Sequence, residues 1–231
     1  MSLLHFHIDN QSVLEVGIDE AGRGPLFGRV YAAAVILPKD TSTGFDFTNI
    51  KDSKKFTSKK KLADVAAYIK SDAVAWAVAY EDETTIDNIN ILQATQSAMH
   101  SAIRGCIAMA DKKTLTRDNG YEHHLLVDGT YFNSFIGFNK ETRQITSVPH
   151  TCVKGGDNTY ACIAAASILA KTERDAYIEE LCETHPLLDE RYGIRSNKGY
   201  GAKVHTEGIK EHGITTWHRK SFAPCKAHVV V

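Results

Sequence analysis

The stretch GIDEAGRGP, residues 17–25, decides the fold of this chain. Its first residues belong to a segment, 13–19, that has the composition of a buried strand. A second segment of this kind covers residues 29–37. The glycine-rich turn between them predicts an antiparallel pair of strands. Two acids, Asp19 and Glu20, therefore stand where the first strand gives way to the turn.

Helix and strand patterns alternate through the rest of the chain. Ser58 is suited to cap a helix over about 59–70, and apolar residues recur at helical spacing from Asn88 to Met109. The other predicted elements are strands at 73–80, 124–128 and about 144–148, and a helix from about Asn158 past Ile178 that ends before Pro186. This order predicts an α/β fold in which a mixed β-sheet is flanked by helices.

Composition predicts a single globular domain over all 231 residues, with 43% hydrophobic and 24% charged residues. The net charge of −1 by itself argues against a nucleic-acid partner. Charge is unevenly distributed, however, because residues 51–61 contain six lysines and one acid, and residues 195–220 contain six Lys or Arg and two Glu. These segments are either phosphate-binding patches or solvated charged faces, and charge alone does not decide between them.

Cysteine usage and the N-terminus bear on location. The five cysteines form no C-x-x-C pair, and an odd number favours free thiols in a reducing compartment. The first residues lack a basic region followed by a long apolar run, and no apolar stretch is long enough to span a bilayer. We therefore expect a cytoplasmic protein with no membrane association.

No H-E-x-x-H motif occurs among the 11 histidines, so a zinc site is not expected.

Carboxylates occur where apolar elements end. Asp19 and Glu20 close the first strand, Asp128 ends the run Leu-Leu-Val, and Asp157 precedes the alanine-rich helix. Carboxylates that converge without cations repel one another, which raises their pKa values or requires a bound cation. Mg²⁺ prefers oxygen ligands, and two such ions can activate a water and stabilise a leaving oxygen in phosphoryl chemistry.

Two of these acids also have a simpler interpretation. Asp128 can merely start the turn Asp-Gly-Thr, and Asp157 can merely cap the helix. On a regular strand Glu20 points toward the core, whereas Asp19 points away from it, so Glu20 reaches a shared site only if the chain turns immediately at Ala21 and Gly22.

Several motifs, in order, resemble those of the type 2 ribonucleases H, in particular class II, ribonuclease HII. The resemblance runs from about residue 14 to 223. It is carried by GIDEAGRGP (17–25), KDSKKF (51–56), VDGT (127–130), KGGDNTYACIAAASILAKTERD (154–175), NKGYG (197–201) and WHRKSF (217–222). It implies a ribonuclease H-like core over about 13–185 and a C-terminal helical part that contacts nucleic acid over about 186–225.

The resemblance also implies the roles of individual residues. The family's four catalytic, metal-binding carboxylates fall on Asp19, Glu20, Asp128 and Asp157, which would hold two divalent ions, Mg²⁺ or Mn²⁺. The residues implied to bind nucleic acid are the Gly22-Arg23-Gly24 turn at the RNA-to-DNA junction, Tyr200 against the neighbouring sugar, and Lys54, Ser167 and Lys171 near backbone phosphates.

The chemistry of these residue types agrees with their implied roles, because glycine allows close backbone approach, arginine offers planar donors and only the 2′-OH distinguishes ribose from deoxyribose. Taken without the resemblance, Arg23 can simply brace a turn, Tyr200 can be a packed tyrosine and Ser167 can fill a small space in the helix.

The activity implied is an endonuclease that hydrolyses the RNA strand of RNA/DNA hybrids and cuts 5′ of ribonucleotides embedded in duplex DNA. The alternatives are a related metal-dependent nuclease that cuts DNA alone, a non-catalytic nucleic-acid-binding module, a type 3 ribonuclease H, and a subunit that requires partner proteins. The four intact acids argue against a binding module, and Asp157 in the fourth position favours class II over type 3. Monomeric action is expected, and the C-terminus shows no clamp-binding peptide with paired aromatic residues.

Overall fold

The central element of the computed structural model is a five-stranded sheet with strand order β3-β2-β1-β4-β7. The structure describes residues 3–40, 44–51, 53, 56, 58–114, 122–139 and 143–230. The strands are β1 (Val13–Ala21), β2 (Val30–Ile36), β3 (Ala75–Glu81), β4 (Glu122–Asp128), β5 (Ile136–Asn139), β6 (Gln144–Ser147) and β7 (His150–Val153). The helices are α1 (Lys59–Asp72), α2 (Glu83–Thr114), α3 (Ala161–Thr184), α4 (Leu187–Tyr192), α5 (Ile194–Asn197) and α6 (Lys203–His212).

The sheet is mixed, as predicted. β1 pairs with β2 and β2 with β3 in antiparallel fashion, whereas β4 is parallel to both β1 and β7. α1 and α3 cover one face of the sheet and α2 covers the other, each across a buried apolar layer. A third apolar cluster joins the C-terminal helices to Ile178 of α3 and to Phe27, so the C-terminal helical extension packs against the end of α3.

Several element boundaries differ from the sequence predictions. β1 continues one residue beyond Glu20, to Ala21, and the chain turns at Gly22, which has φ +92°. α2 begins at Glu83 rather than Asn88, and Asn90 divides it with a non-helical φ of 67°. The side chain of Asn90 accepts hydrogen bonds from the amides of Leu92 and Gln93, so it caps the second segment, which is the part that the apolar spacing predicts.

The region before α3 also differs. A 3-10 turn at Gly156–Asn158 comes first, and α3 begins only at Ala161, with Tyr160 in the N-cap position. Asp157 therefore does not cap this helix, which removes the simpler interpretation of that acid. The strand expected near 144–148 is β6, and it pairs with β5 in a separate two-stranded sheet instead of joining the main one.

The contact between β1 and α3 is unusually close. A Cβ atom on Gly17 would lie 2.2 Å from the carbonyl carbon of Cys162, so the backbones of the strand and the helix touch at this point. Only glycine allows this approach, and two residues further along the strand Asp19 lies against the same helix. Within the described helices, no segment is both long and apolar enough to cross a membrane.

We predict that Gly17→Ala lowers the free energy of unfolding by roughly 1–3 kcal/mol or more, because the added methyl group must push α3 away from β1. Urea denaturation monitored by circular dichroism measures the effect. Gly201→Ala is the control, because the nearest atom to its added Cβ is 3.5 Å away, an ordinary contact. Equal stabilities of the Gly17→Ala and Gly201→Ala variants would contradict the close packing of α3 on β1.

Candidate active site

Two of the four predicted acids, Asp19 and Asp128, lie side by side at the ends of neighbouring parallel strands. In the register of β1 and β4, Ile18 is opposite Val127, so the next residue on each strand is one of these acids. Both precede the point where the strand leaves the sheet. Asp19 is only 5% exposed, and its carboxylate is repelled by the charge of Asp128.

Burial is the main reason that the pKa of Asp19 lies well above its usual value, and the charges of Glu20 and Asp128 raise it further. A hydrogen bond from Ser167 and the amide of Glu20, 2.7 Å from Asp19 Oδ1, act in the opposite direction. Burial also raises the pKa of Glu20, and its ion pair with Arg23, 3.1 Å long, opposes that rise. The folded protein therefore holds these carboxylates at a cost to their charged forms.

Asp157 lies beside this group through the 3-10 turn. Asp128 Oδ1 accepts a 2.6 Å hydrogen bond from the amide of Gly156, which precedes Asp157 in the chain. Asp157 is only 3% exposed and accepts a hydrogen bond from the side chain of Asn158. Asp128 thus connects β4 to the 3-10 turn, so its role is not limited to starting the Asp-Gly-Thr turn.

The side-chain chemistry of these acids suits a hard divalent cation, but their arrangement in the structure does not form a complete site. Carboxylate oxygens are the donors that Mg²⁺ and Mn²⁺ prefer, and a bound cation would relieve the cost of charging Asp19 and Glu20. Across the described ranges, however, no three acidic, histidine or cysteine side chains are arranged to share one metal ion. Glu20 directs an oxygen at Arg23, and Asp128 directs one at the amide of Gly156. A bound ion would have to compete with these two protein donors.

The predicted junction-reading residues lie together at the surface next to the acids. The Arg23 side chain is 50% exposed and Tyr200 is 51% exposed. A Cβ on Gly24 would lie 3.4 Å from the ring of Tyr200, so the turn and the aromatic ring are in contact. This exposure does not support the interpretation of Tyr200 as a packed core tyrosine.

The three residues predicted near phosphates have different surroundings. Ser167 is buried and its hydroxyl bonds to Asp19 and, at 3.0 Å, to the hydroxyl of Ser53, so its placement suits holding the carboxylate. Lys171 forms a 3.0 Å ion pair with Asp175 one turn further along α3. Lys54 lies outside the described residues.

Sequence reasoning missed Ser53 and two buried arginines. Arg174 donates to the carbonyl groups of Phe27, Arg29 and Lys198, and Arg219 donates to carbonyl groups of the turn that contains Arg23. The motif WHRKSF contains Arg219, but only the fold brings this side chain to the turn.

Comparison with solved structures places this fold among the type 2 ribonucleases H. The ribonuclease H2 of Pyrococcus horikoshii OT3 has a TM-score of 0.64 at 19% identity, with 92% of this chain and 95% of that chain covered. Ribonuclease HII in the PCNA complex from Archaeoglobus fulgidus has a TM-score of 0.61 at 24% identity, with 91% and 95% covered. Bst-RNase HIII in complex with Mn²⁺ has a TM-score of 0.62 at 19% identity, with 93% of this chain and 68% of that chain covered.

Comparison with curated sequences and families is more specific. The family model described as Ribonuclease HII matches residues 16–225. Ribonuclease HII of Bacteroides thetaiotaomicron is 43% identical over 213 residues, which is 92% of this chain and 91% of the relative. Ribonuclease HII of Neisseria gonorrhoeae is 40% identical over 214 residues, 93% and 94% of the two chains. The chain therefore belongs to the ribonuclease HII family, and it is an endoribonuclease of the ribonuclease H type.

We predict that Asp19→Asn stabilises the metal-free protein by about 1 kcal/mol or more at pH 8, because it removes a buried charge that the fold disfavours. The gain should shrink as the pH falls through the raised pKa of Asp19, since the wild-type carboxyl then becomes protonated. Urea denaturation in EDTA measures the change, and repeating it with Mn²⁺ should show less metal stabilisation in the variant than in the wild type.

Glu179→Gln is the matched control. Hydrogen bonds from Lys59 and Lys198 lower the pKa of Glu179 to about 2, so removing its charge should not stabilise the protein. An Asp19→Asn variant that is less stable than the wild type in EDTA, and equally stabilised by Mn²⁺, would show that Asp19 neither suffers repulsion nor binds metal.

Proposed function

We propose that this ribonuclease hydrolyses the RNA strand of RNA/DNA hybrids and cuts on the 5′ side of ribonucleotides embedded in duplex DNA. The observation that carries the proposal is that the ion pair between Glu20 and Arg23 joins the acids to an exposed surface, which is formed by the glycine-rich turn and Tyr200. Asp19, which is buried, and Asp128, which is half-buried, lie at the ends of neighbouring strands, and Gly24 contacts the ring of Tyr200 at the surface. One duplex strand can therefore present its phosphate to the acids and its sugar to the turn.

In the proposed reaction, the oxygen of a water attacks the phosphorus on the 5′ side of the ribonucleotide. The bond from phosphorus to the 3′ oxygen of the preceding nucleotide breaks, and that oxygen takes up a proton. The products are a 3′-hydroxyl and a 5′-phosphate. Two bound divalent ions, Mg²⁺ or Mn²⁺, would supply an activated water and stabilise the leaving oxygen.

The acids Asp19, Glu20, Asp128 and Asp157 would hold these ions. Ser167 would orient Asp19 through its hydroxyl, and the amide of Gly156 would orient Asp128. Arg23 is paired with Glu20, so it can exchange that carboxylate for a substrate phosphate or hydroxyl when Glu20 turns to a metal ion. The related Bst-RNase HIII, solved with Mn²⁺, supports the choice of ion.

Selectivity for ribose would come from the Gly22-Arg23-Gly24 turn, and Tyr200 would pack on the sugar at the 3′ side. A site built around a 2′-hydroxyl leaves polar groups unpaired when deoxyribose is offered, which can reject the analogue by several orders of magnitude. A nuclease that cuts DNA alone would have no use for this arrangement.

Location and assembly are part of the same proposal. We place the protein in the reducing cytoplasm, which is consistent with its five cysteines all being free thiols. We also propose that it acts as a monomer, because the acids and the reading surface described above come from one chain. The A. fulgidus relative was solved as a complex with PCNA, but no corresponding clamp contact is part of this proposal.

Asp128→Asn should reduce the single-turnover rate with Mg²⁺ by a factor on the order of 100 or more, because lost metal stabilisation costs several kcal/mol of barrier. The amide can still accept the Gly156 hydrogen bond, so the variant should fold and bind duplex. Glu190→Gln, which neutralises an exposed acid on α4, is the control and should cut at the wild-type rate. Near-normal cleavage by Asp128→Asn would refute the mechanism.

Tyr200→Ala should slow cleavage of a duplex with one ribonucleotide about 10- to 100-fold, by analogy with aromatic stacking worth roughly 1–3 kcal/mol. Tyr200→Phe keeps the ring and should cut nearly as fast as the wild type. The measurement is single-turnover cleavage of matched duplexes with zero, one or four ribonucleotides. Equal cutting of the zero- and one-ribose duplexes by the wild type would reject ribose selection, and an unchanged Tyr200→Ala rate would assign the ring to packing.

A further inference from the structure

The guanidinium of Arg219 organises the turn that contains Arg23. Its side chain is fully buried and donates four hydrogen bonds to backbone carbonyl oxygens of residues 22–28. The acceptors and distances are Gly22 at 2.6 Å, Arg23 at 3.0 Å, Pro25 at 2.8 Å and Gly28 at 2.9 Å. A planar group with five donors can satisfy carbonyls that point at it from several directions, which an ammonium group cannot do.

Burying this cation has a cost, which the hydrogen bonds must offset. Burial lowers the pKa of Arg219 to about 9, so the side chain is still charged at neutral pH. The carbonyl groups of the turn would be left without these donors if the guanidinium were removed. The shape of the turn is therefore coupled to a residue of the C-terminal segment.

His218, the residue before Arg219, is linked to Tyr200 through a second histidine, His205. The amide of Thr215 donates to His218 Nδ1 at 2.9 Å, so the proton of the neutral ring is on Nε2. That nitrogen lies 3.1 Å from His205 Nε2, which must then accept, and His205 Nδ1 donates to the carbonyl oxygen of Tyr200 at 2.9 Å. Both rings are buried, and burial lowers the pKa of each, to about 3 for His218.

Backbone hydrogen bonds complete the connection. The amide of Arg219 donates to the carbonyl oxygen of Leu26, and the amide of Gly28 donates to that of Trp217, both at 2.9 Å. The amide of Leu26 donates to Gly199 at 2.8 Å, directly before Tyr200. Residues 22–28, 199–200 and 217–219 thus form one hydrogen-bonded frame.

We infer that His218 and Arg219 are positioning residues that set the spacing between the Gly22-Arg23-Gly24 turn and Tyr200, and so determine how well a single ribose is selected. The inference rests on the proposed function, in which the turn and the ring together contact the sugars. His218 acts through His205, and Arg219 acts through the carbonyl groups of the turn. Neither residue is proposed to touch substrate.

The test uses Arg219→Lys, which keeps the charge but not the planar fork, and His218→Asn, whose side-chain oxygen can replace Nδ1 for Thr215 but cannot reach His205. Ile103→Ala is the control, because Ile103 lies in the core between the sheet and α2 and its removal lowers stability without touching the frame. Hydrogen exchange followed by mass spectrometry, Mn²⁺ affinity and single-turnover cleavage are measured for each variant.

We expect faster exchange in residues 22–28 of Arg219→Lys and in residues 199–202 of His218→Asn, with α2 unchanged. Cleavage of the one-ribonucleotide duplex should fall about 10- to 100-fold, more than cleavage of the four-ribonucleotide duplex, while Mn²⁺ affinity stays at the wild-type value. Ile103→Ala should change stability but not the ratio of the two rates.

Unchanged exchange in both segments would overturn the inference whatever the substrate is. An unchanged rate ratio in both variants would overturn the effect on selection, and failure of both variants to fold would assign the frame to folding alone. The proposed function is judged separately, by whether the wild type prefers the one-ribose duplex to all-DNA duplex in the same assay.

Discussion

The repulsion between carboxylates held at the ends of β1 and β4 is the constraint on which the site depends. The parallel register places Asp19 next to Asp128, and the close packing of α3 at Gly17 buries Asp19 against Ser167. Water therefore cannot screen these charges well. In the proposed function the same carboxylates offer oxygen donors to a divalent cation, which would remove the repulsion on binding.

Two contacts of the acids bear on the proposed metal binding. Arg23 neutralises Glu20, and the amide of Gly156 satisfies one oxygen of Asp128. Arg23 lies on the turn that we propose contacts the ribose, so a metal ion that drew Glu20 away would leave Arg23 available to the nucleic acid. In this proposal, metal binding at Glu20 favours substrate binding by Arg23.

The acids could be predicted from the sequence because their placement is a local property. Asp19 and Asp128 each follow a short apolar run. Alternation along β1 predicted that Asp19 points away from the core, but this face of the strand is also buried, against α3. The position of Asp157 and the start of α2 were harder to predict from the sequence, because a 3-10 turn and the positive φ of Asn90 interrupt the helical patterns. The exact surroundings of Ser167 depend on Ser53, which is 114 residues away in the chain.

Long-range hydrogen bonds explain what the sequence could not show. Arg219 and Arg23 are 196 residues apart, and no periodicity or motif spacing reports that one holds the backbone of the other. The same applies to the separate β5–β6 sheet: only β6 was predicted from the sequence, and nothing in its pattern indicated which sheet it joins. The family resemblance implied roles for Tyr200 and the glycine-rich turn, which stay predictions, and their contact at the surface came only from the structure.

We propose above that Asp19 and Asp128 are ligands of a divalent metal ion. The most direct test of this proposal is an anomalous difference map from crystals of the wild-type protein grown with Mn²⁺. We expect a peak about 2 Å from a carboxylate oxygen of each acid, with Glu20 turned away from Arg23. A map that places Mn²⁺ elsewhere, with the ion pair between Glu20 and Arg23 intact, would contradict it.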